Sequence, residues 1–435
     1  MDASRVVSAK VLLQDWSAIF SRLVPTIRRV RLLRTNPVFR SLWLANLAAA
    51  LASSALGTVL TVQIFTITHS AAATSGLLVA ATVPAIALGT IGGLAADRIR
   101  RDRLVKLTSW LRVPTVACLL LVGDHAGALY VIAFVQAAQL QFFVPAEQAT
   151  VADIVSDKDL PDAMSANSVA RNVTRLAGPA LGGILITWIG FVPTIAAVSG
   201  CLGVAALLFS FLPRSEHVPS ADVTIIRDWL DGPRITVTHV PARAVAVFQI
   251  LDSIKEGPLS SLFPVLMLGT IGATAAYMGT VNSSFAVTAI LAAPLVGIIT
   301  RRLGYRWPIA GGAAISGGLL LLLAAVPNAT TALAVFALSG FPFTISWVAA
   351  NTWLLANTDA THRGRVTGTT STLNAIATAV FAGIAGAAAE IVPVVTVIGV
   401  AALIQTLAGP CFLIMTRRYT GRVNQPTSNA STELP

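Results

Sequence analysis

Three ionisable residues fall within five positions of an apolar stretch: Asp252, Lys255 and Glu256, in "ILDSIKEGPL" (250–259). On a helix the i, i+3, i+4 spacing puts all three on one face. The lysine can neutralise one carboxylate, leaving one excess negative charge. A carboxyl that takes a proton from one side of a barrier and releases it to the other is the minimum chemistry for coupling protons to the movement of a second species. The same trio can equally be a neutralised cluster that braces its helix. Gly257 and Pro258 follow directly, and the pair predicts an interrupted helix with carbonyls freed toward a cavity.

Other polar residues stand in equally apolar surroundings. Arg112 lies about 12 Å into its stretch at a helical rise of about 1.5 Å per residue, and it calls for a buried partner. Gln136, Gln139, Phe143 and Glu147 recur at three- and four-residue steps, hence on one helical face. Arg171 and Arg175 are one turn apart and either snorkel to a membrane surface or face inward. A charge at mid-membrane costs at least about 2.5–3.5 kcal/mol on insertion scales, so each requires a partner or a watery cavity.

The elements that position these residues follow from composition. The chain has 435 residues, 55% hydrophobic and 11% charged, far below the charge content of soluble domains. Twelve apolar runs of roughly 20 residues, long enough to span a bilayer, succeed one another between about 41 and 415. They are continuously apolar rather than alternating, which predicts an all-α membrane protein and excludes a barrel. The first forty residues are too basic for a cleavable signal peptide. Cys118, Cys201 and Cys411 have the spacing of neither a metal site nor a disulfide framework. With no glycine-rich phosphate loop either, no enzyme, cofactor or metal is expected.

The net charge of +11 is not spread evenly. Of 30 Lys and Arg, eight lie in residues 1–40 and five in 98–106. Most others lie in 214–243, 301–306, 363–365 and 417–422, while the alternate connections carry none. This positive-inside pattern places both termini in the cytoplasm of a multi-pass protein of the inner membrane and gives the basic charge to lipid headgroups rather than nucleic acid.

The longest connection, 213–242, divides the spans into six-helix halves, 39–212 and 243–416. Residues 1–38 form either an amphipathic helix on the inner leaflet or a basic tail. Residues 417–435 are a polar tail, disordered from about 419. The halves repeat at an offset of 204 residues: "GGLAADR" (92–98) overlays "VGIITRR" (296–302), and "FVPAEQATVAD" (143–153) overlays "WVAANTWLLAN" (347–357). Two parallel repeats joined by a cytoplasmic linker make a transporter architecture with its site between the halves at mid-membrane, a channel being the other use of such a scaffold.

The turn after the second span carries Gly93, Asp97, Arg98 and Arg101, a G-x-x-x-D-R-x-x-R pattern that resembles the loop 2–3 motif of the major facilitator superfamily. Read alone, it is either a charged latch or plain topology. The second copy keeps Gly297, Arg301 and Arg302 but lacks the acid. "LAGPALGG" (176–183), with Gly178, Pro179, Gly182 and Gly183, is similar to that superfamily's antiporter motif. "PAEQATVADIVSDKDLPDAMSANS" (145–168) and "THRGRVTG" (361–368) resemble its macrolide-efflux and siderophore-exporter-like branch.

The resemblance implies twelve transmembrane helices in two six-helix pseudo-repeats, with spans 1, 4, 7 and 10 lining a central cavity. It implies export of an amphipathic small molecule by proton antiport, or, as an alternative, flipping of a lysolipid-like molecule with no obligate proton. Small molecule, protons and bilayer are the expected partners, and a monomer is expected. Proton coupling would rest on Asp252 and Glu256, tuned by Lys255. Gln136, Gln139, Phe143, Glu147, Phe343, Trp347, Asn351, Arg112 and Asn46 would line the substrate cavity, unless the aromatics are ordinary packing. Asp97, Arg98, Arg101, Arg301 and Arg302, with Gly93, would form the cytoplasmic gate. Span 1 lacks the acid common in this branch: Ala48, Leu51 and Ala52 stand where the repeat places Asp252, Lys255 and Glu256.

Overall fold

The computed structural model describes residue 32 and residues 34–156, 159–214, 233–359, 362–417 and 419. Most of the basic 1–38 segment, residues 215–232 of the linker and the polar tail past Tyr419 lie outside the described residues. Among the described residues regular structure is entirely helical: α1 (Pro37–Thr68), α2 (Ala71–Arg98), α3 (Arg101–Ala117, continued by the turn Leu119–Val122), α4 (Ala126–Ile154), α5 (Leu160–Ile189), α6 (Phe191–Ser210), α7 (Val240–Pro264), α8 (Ala275–Leu303), α9 (Arg306–Ala325), α10 (Ala329–Ala356), α11 (Arg363–Ala388) and α12 (Val394–Thr416).

Local chemistry sets the boundaries. Asn36 accepts the Phe39 N–H at 2.9 Å ahead of Pro37, Ser70 accepts that of Ala73 at 3.1 Å, and Asn328 accepts that of Thr331 at 2.8 Å. Each satisfies a donor that the first turn leaves orphaned. Gly190, at φ +81°, reverses the chain between α5 and α6 in a conformation that an L side chain rarely adopts.

Ten stretches among the described residues are long and apolar enough to cross a membrane, and α5 and α7 stand outside that set. α5 contributes a shorter apolar stretch, Val173–Ile189, and α7 carries four ionisable residues, Arg243, Asp252, Lys255 and Glu256. Large apolar side chains elsewhere face outward, with Trp188 79% and Phe211 72% exposed, as a lipid-facing surface requires.

The predicted interruption at Gly257–Pro258 does not occur. α7 continues to Pro264 and passes into a π-helical turn, Val265–Thr270. Gly257 serves close approach instead: a Cβ there would strike the Thr378 carbonyl and the Ala382 nitrogen of α11.

Within the first half, α1 packs on α5 and α6, α2 on α4, and α3 on α4 and α6. The same partnering recurs in the second half: α7 on α11 and α12, α8 on α10, and α9 on α10 and α12. α2 meets α11 and α5 meets α8 across the two groups. Small residues make these crossings. A Cβ at Gly183 would meet the Ala275 carbonyl, one at Gly279 the Ala180 backbone, and one at Gly386 the Ser75 side chain.

Both crossings lie at the end of the bundle whose connections lack Lys and Arg. There Glu390, between α11 and α12, accepts Ser70 Oγ–H at 2.7 Å and the Ala72 N–H at 2.9 Å. The Ala72 amide, with the Ser70 hydroxyl, holds the Glu390 carboxyl below its ordinary value.

Two outcomes follow. Gly183→Val should cost about 1–3 kcal/mol by overpacking, read as a lower melting temperature in detergent, whereas Gly297→Ala, facing open space, should be neutral. A carboxyl with a depressed folded value stabilises above its ordinary pKa, and that stabilisation fades as pH falls through the lowered value. Exchange of the Ala72 amide, corrected for its intrinsic rate, should therefore accelerate over that window and be fast at every pH in Glu390→Ala.

Candidate functional site

A cavity of about 370 Å³ lies where α1, α5 and α7–α10 converge, lined by Ser54, Arg175, Glu256, Lys255, Asn282 and Ser339 together with Phe263, Phe285 and Phe336. Both sets of six helices contribute to it. Lys255 Nζ stands 3.4 Å from Asp252 Oδ1 and 3.5 Å from Glu256 Oε2, so one ammonium serves both carboxylates. Asp252 and Lys255 are buried, at 3% and 4% exposure, whereas the Glu256 side chain is 37% exposed. Gln405 Nε2 of α12 donates to Asp252 Oδ1 at 2.9 Å, and Ser260 Oγ donates to Glu256 Oε1 at 3.0 Å.

The cluster thus has a dry side and a cavity side. Asp252 is sealed behind Lys255, and Glu256 faces open space beside Arg175. The Lys255 ammonium also sits 4.6 Å from the centroid of Phe343, which stacks on Trp347 at 6.2 Å and 13°. Such a cation–π contact adds attraction where water is scarce.

A second cavity of about 370 Å³ lies inside the first half, lined by Asn46 and Ser53 of α1, Arg112 of α3, Phe143 and Glu147 of α4, and Asn167, Arg171 and Arg175 of α5. Ser54 and Arg175 line both cavities, which therefore abut. The buried Arg112 donates from Nε to Gln136 Oε1 at 3.2 Å and from a terminal nitrogen to Ser53, and lies 5.7 Å over the Phe143 ring. Gln136 Nε2 donates back to the Arg112 carbonyl at 3.0 Å. Glu147 accepts from Asn46 Nδ2 at 2.6 Å and Asn167 Nδ2 at 3.0 Å, both on Oε1.

The expected cavity set is therefore split. Asn46, Arg112, Phe143 and Glu147 share the first-half cavity, with Gln136 behind them as the anchor of Arg112. Gln139 turns to Thr115 at 3.0 Å. Phe343 and Trp347 pack beside Asp252 and Gln405. Asn351 accepts from Gln249 Nε2 at 3.4 Å and donates to the Trp347 carbonyl at 2.8 Å. Arg175 does not snorkel: it reaches the junction of the two cavities.

Sequence reasoning missed Gln405 and Asn167. A lone amide in the apolar run "GVAALIQTLAG" was the available signal for the first, and none marked the second.

The gate residues are spread out. Arg98, Arg301 and Arg302 are exposed and make no ion pair with a described residue. Arg101 pairs with Asp153 of α4 at 2.6 Å, within the same half. The Asp97 side chain lies outside the described residues, and a Cβ at Gly93 would meet nothing. In the glycine run, Gly178 and Gly182 press on Ser54 and Ala55 of α1, Gly183 on α8, and Pro179 lines the central cavity.

Residues 33–433 match the family model described as transmembrane secretion effector. Among curated proteins, the uncharacterized MFS-type transporter YfiS of Bacillus subtilis (strain 168) is 28% identical over 246 residues, covering 55% of this chain and 54% of its own. The MFS-type transporter y4rN of Sinorhizobium fredii is 23% identical over 222 residues, covering 47% of this chain and 52% of its own. The chain spans about half the length of the curated relatives it matches.

Solved transporters share the fold at low identity. A variant of the nucleoside transporter NupG has a TM-score of 0.75 at 10% identity, covering 87% of this chain and 99% of that one. A bacterial homologue of the human lysosomal transporter Spinster, inward-facing and unoccupied, reaches 0.70 at 14%, covering 87% and 96%. With helices that can cross a membrane throughout and a family match over nearly its whole length, the chain belongs to the transmembrane secretion effector family of major facilitator transporters, a multi-pass membrane protein.

Proposed function

We propose that this transporter exports an amphipathic small molecule across the inner membrane in exchange for protons. Its twelve spans form two six-helix repeats, 39–212 and 243–416, with both termini cytoplasmic, and the monomer is the working unit. The recurrence of one packing pattern in the two sets of helices supports the repeat.

The observation that carries the reading is the α7 cluster: three ionisable groups on one face, with Glu256 open to a cavity bounded by both halves. Glu256 takes the proton from the cavity, and Lys255 then passes its full attraction to Asp252. Phe263, Phe285 and Phe336 offer an apolar wall, and Asn282 and Ser339 offer hydrogen bonds, a mixture suited to an amphipathic ligand. The halves touch at the end away from the basic connections, while Arg98, Arg301 and Arg302 are exposed at the other. This supports an inward-facing arrangement, the state named for the Spinster homologue.

Each coupled proton is worth about 1.36 kcal/mol per pH unit of gradient, so removing one lowers the attainable dye gradient about tenfold per unit. Uptake of an amphipathic fluorescent dye into energised inside-out vesicles should fall by that factor in Asp252→Asn with Glu256→Gln. Uptake that persists in the double variant would sink the coupling, and uptake that survives collapse of the pH gradient would favour lipid-type flipping instead.

The cluster also predicts a stability pattern. Lys255→Met leaves the buried Asp252 carboxylate without its cation and should cost about 3–5 kcal/mol. Adding Asp252→Asn and Glu256→Gln to it should restore most of that loss in a thermal melt.

A further inference from the structure

The buried carboxyl of Glu147 differs from those of α7: it makes no ion pair with a described residue. The charged groups facing its cavity are Arg112 from α3 and Arg171 and Arg175 from α5, while α1 contributes Asn46 and no ionisable group. Arg112 is committed to Ser53 and Gln136.

Among the described residues, only one Glu147 oxygen, Oε1, is engaged, by the amide N–H groups of Asn46 and Asn167. Asn167 Oδ1 is buried with no hydrogen-bond partner among the described residues. An acceptor left unmatched in a buried site has lost its hydration with nothing in return. Half of an acid–amide ring is thus already built: Nδ2–H of Asn167 to Oε1 of Glu147. The missing half is a donor on Oε2 aimed at Oδ1, and a proton on the carboxyl supplies it.

The internal repeat bears on whether the carboxyl is needed for packing. Glu147 overlays Asn351, and there the link between α7 and α10 is an amide pair, Gln249 to Asn351, with nothing to titrate. An acceptor at this level suffices to join the helices, so an acid at 147 has a use beyond packing.

We propose that Glu147 binds a proton during the transport cycle, at a second site separate from the α7 cluster, and that the proton closes a two-hydrogen-bond ring with Asn167. This rests on the proton-coupled reading above. Protonation would draw α4 and α5 together at Asn167 and remove a negative charge from beside Arg171 and Arg175, so the first half would register proton occupancy on its own.

The test is pH-dependent infrared difference spectroscopy of the purified full chain in nanodiscs, with no gradient and no substrate. The protonated-carboxyl carbonyl band that grows on acidification should lose one component in Glu147→Gln, which keeps the Oε1 acceptor and mimics the ring with its own amide. Asp252→Asn and Glu256→Gln should retain that component. In Asn167→Leu the same component should shift in frequency, its acceptor having gone. A spectrum unchanged by Glu147→Gln, or a component unmoved by Asn167→Leu, overturns the proposal. Because no export is measured, a failure of proton-driven export in vesicles leaves this result standing, and the converse holds too.

Discussion

A charge in hydrocarbon must find a partner or water, and the polar interior of this protein is arranged by that constraint. Each ionisable group within the spans solves it differently. Lys255 is shared between Asp252 and Glu256, Arg112 is held by a hydroxyl and an amide, and Arg175 reaches the junction of two cavities. Glu147 leans on two asparagines. The apolar helices around them could pack in many registers, but these contacts fix which faces turn inward.

The two sets of six helices share a packing scheme and diverge in chemistry. At the level of α1 the first set is apolar where the second has the Asp252 cluster. At the level of α4 and α10 the relation reverses, with Glu147 in the first and Asn351 in the second. Neither set carries acid at both levels, so the pair forms one polar interior from complementary halves. Close approach is likewise delegated to glycines: Gly178 and Gly182 seat α5 on α1, and Gly257 seats α7 on α11. Helix association in lipid depends on such packing, since burial of apolar surface offers little extra there.

Much of this was legible in the sequence. Continuous apolar runs marked the helices, and the spacing of Asp252, Lys255 and Glu256 marked their common face. What sequence could not supply was distance across the bundle. The stripe from Gln136 to Glu147 lies on one helix, yet its members go to different neighbours, because α3 presents Arg112 to one and Thr115 to another. Gly257–Pro258 reads as a break by local rules, and α11 overrides it with a close contact. The Arg101 partner is Asp153, fifty-two residues on, a pairing that no local pattern encodes.

The inter-half contacts set what a change of state must undo. The glycine crossings of α5 with α8 and α2 with α11 are backbone-close, so these helices separate as units or not at all. The Glu390 hook is different, since it ties a connecting turn to the start of α2 through two hydrogen bonds on an exposed carboxylate. Exposed contacts of that kind contribute little net energy and break readily. In the proposed cycle, opening at this end would begin with a weak tie that yields first, followed by concerted parting of the two glycine seams. Closing the opposite end would bring the arginines of both halves together. Four of them, Arg98, Arg101, Arg301 and Arg302, would then repel unless a carboxylate comes between. Asp153, already on Arg101, stands at that end of α4. In that closed state of the proposed cycle, its position would make the first half the one that brings a neutralising acid.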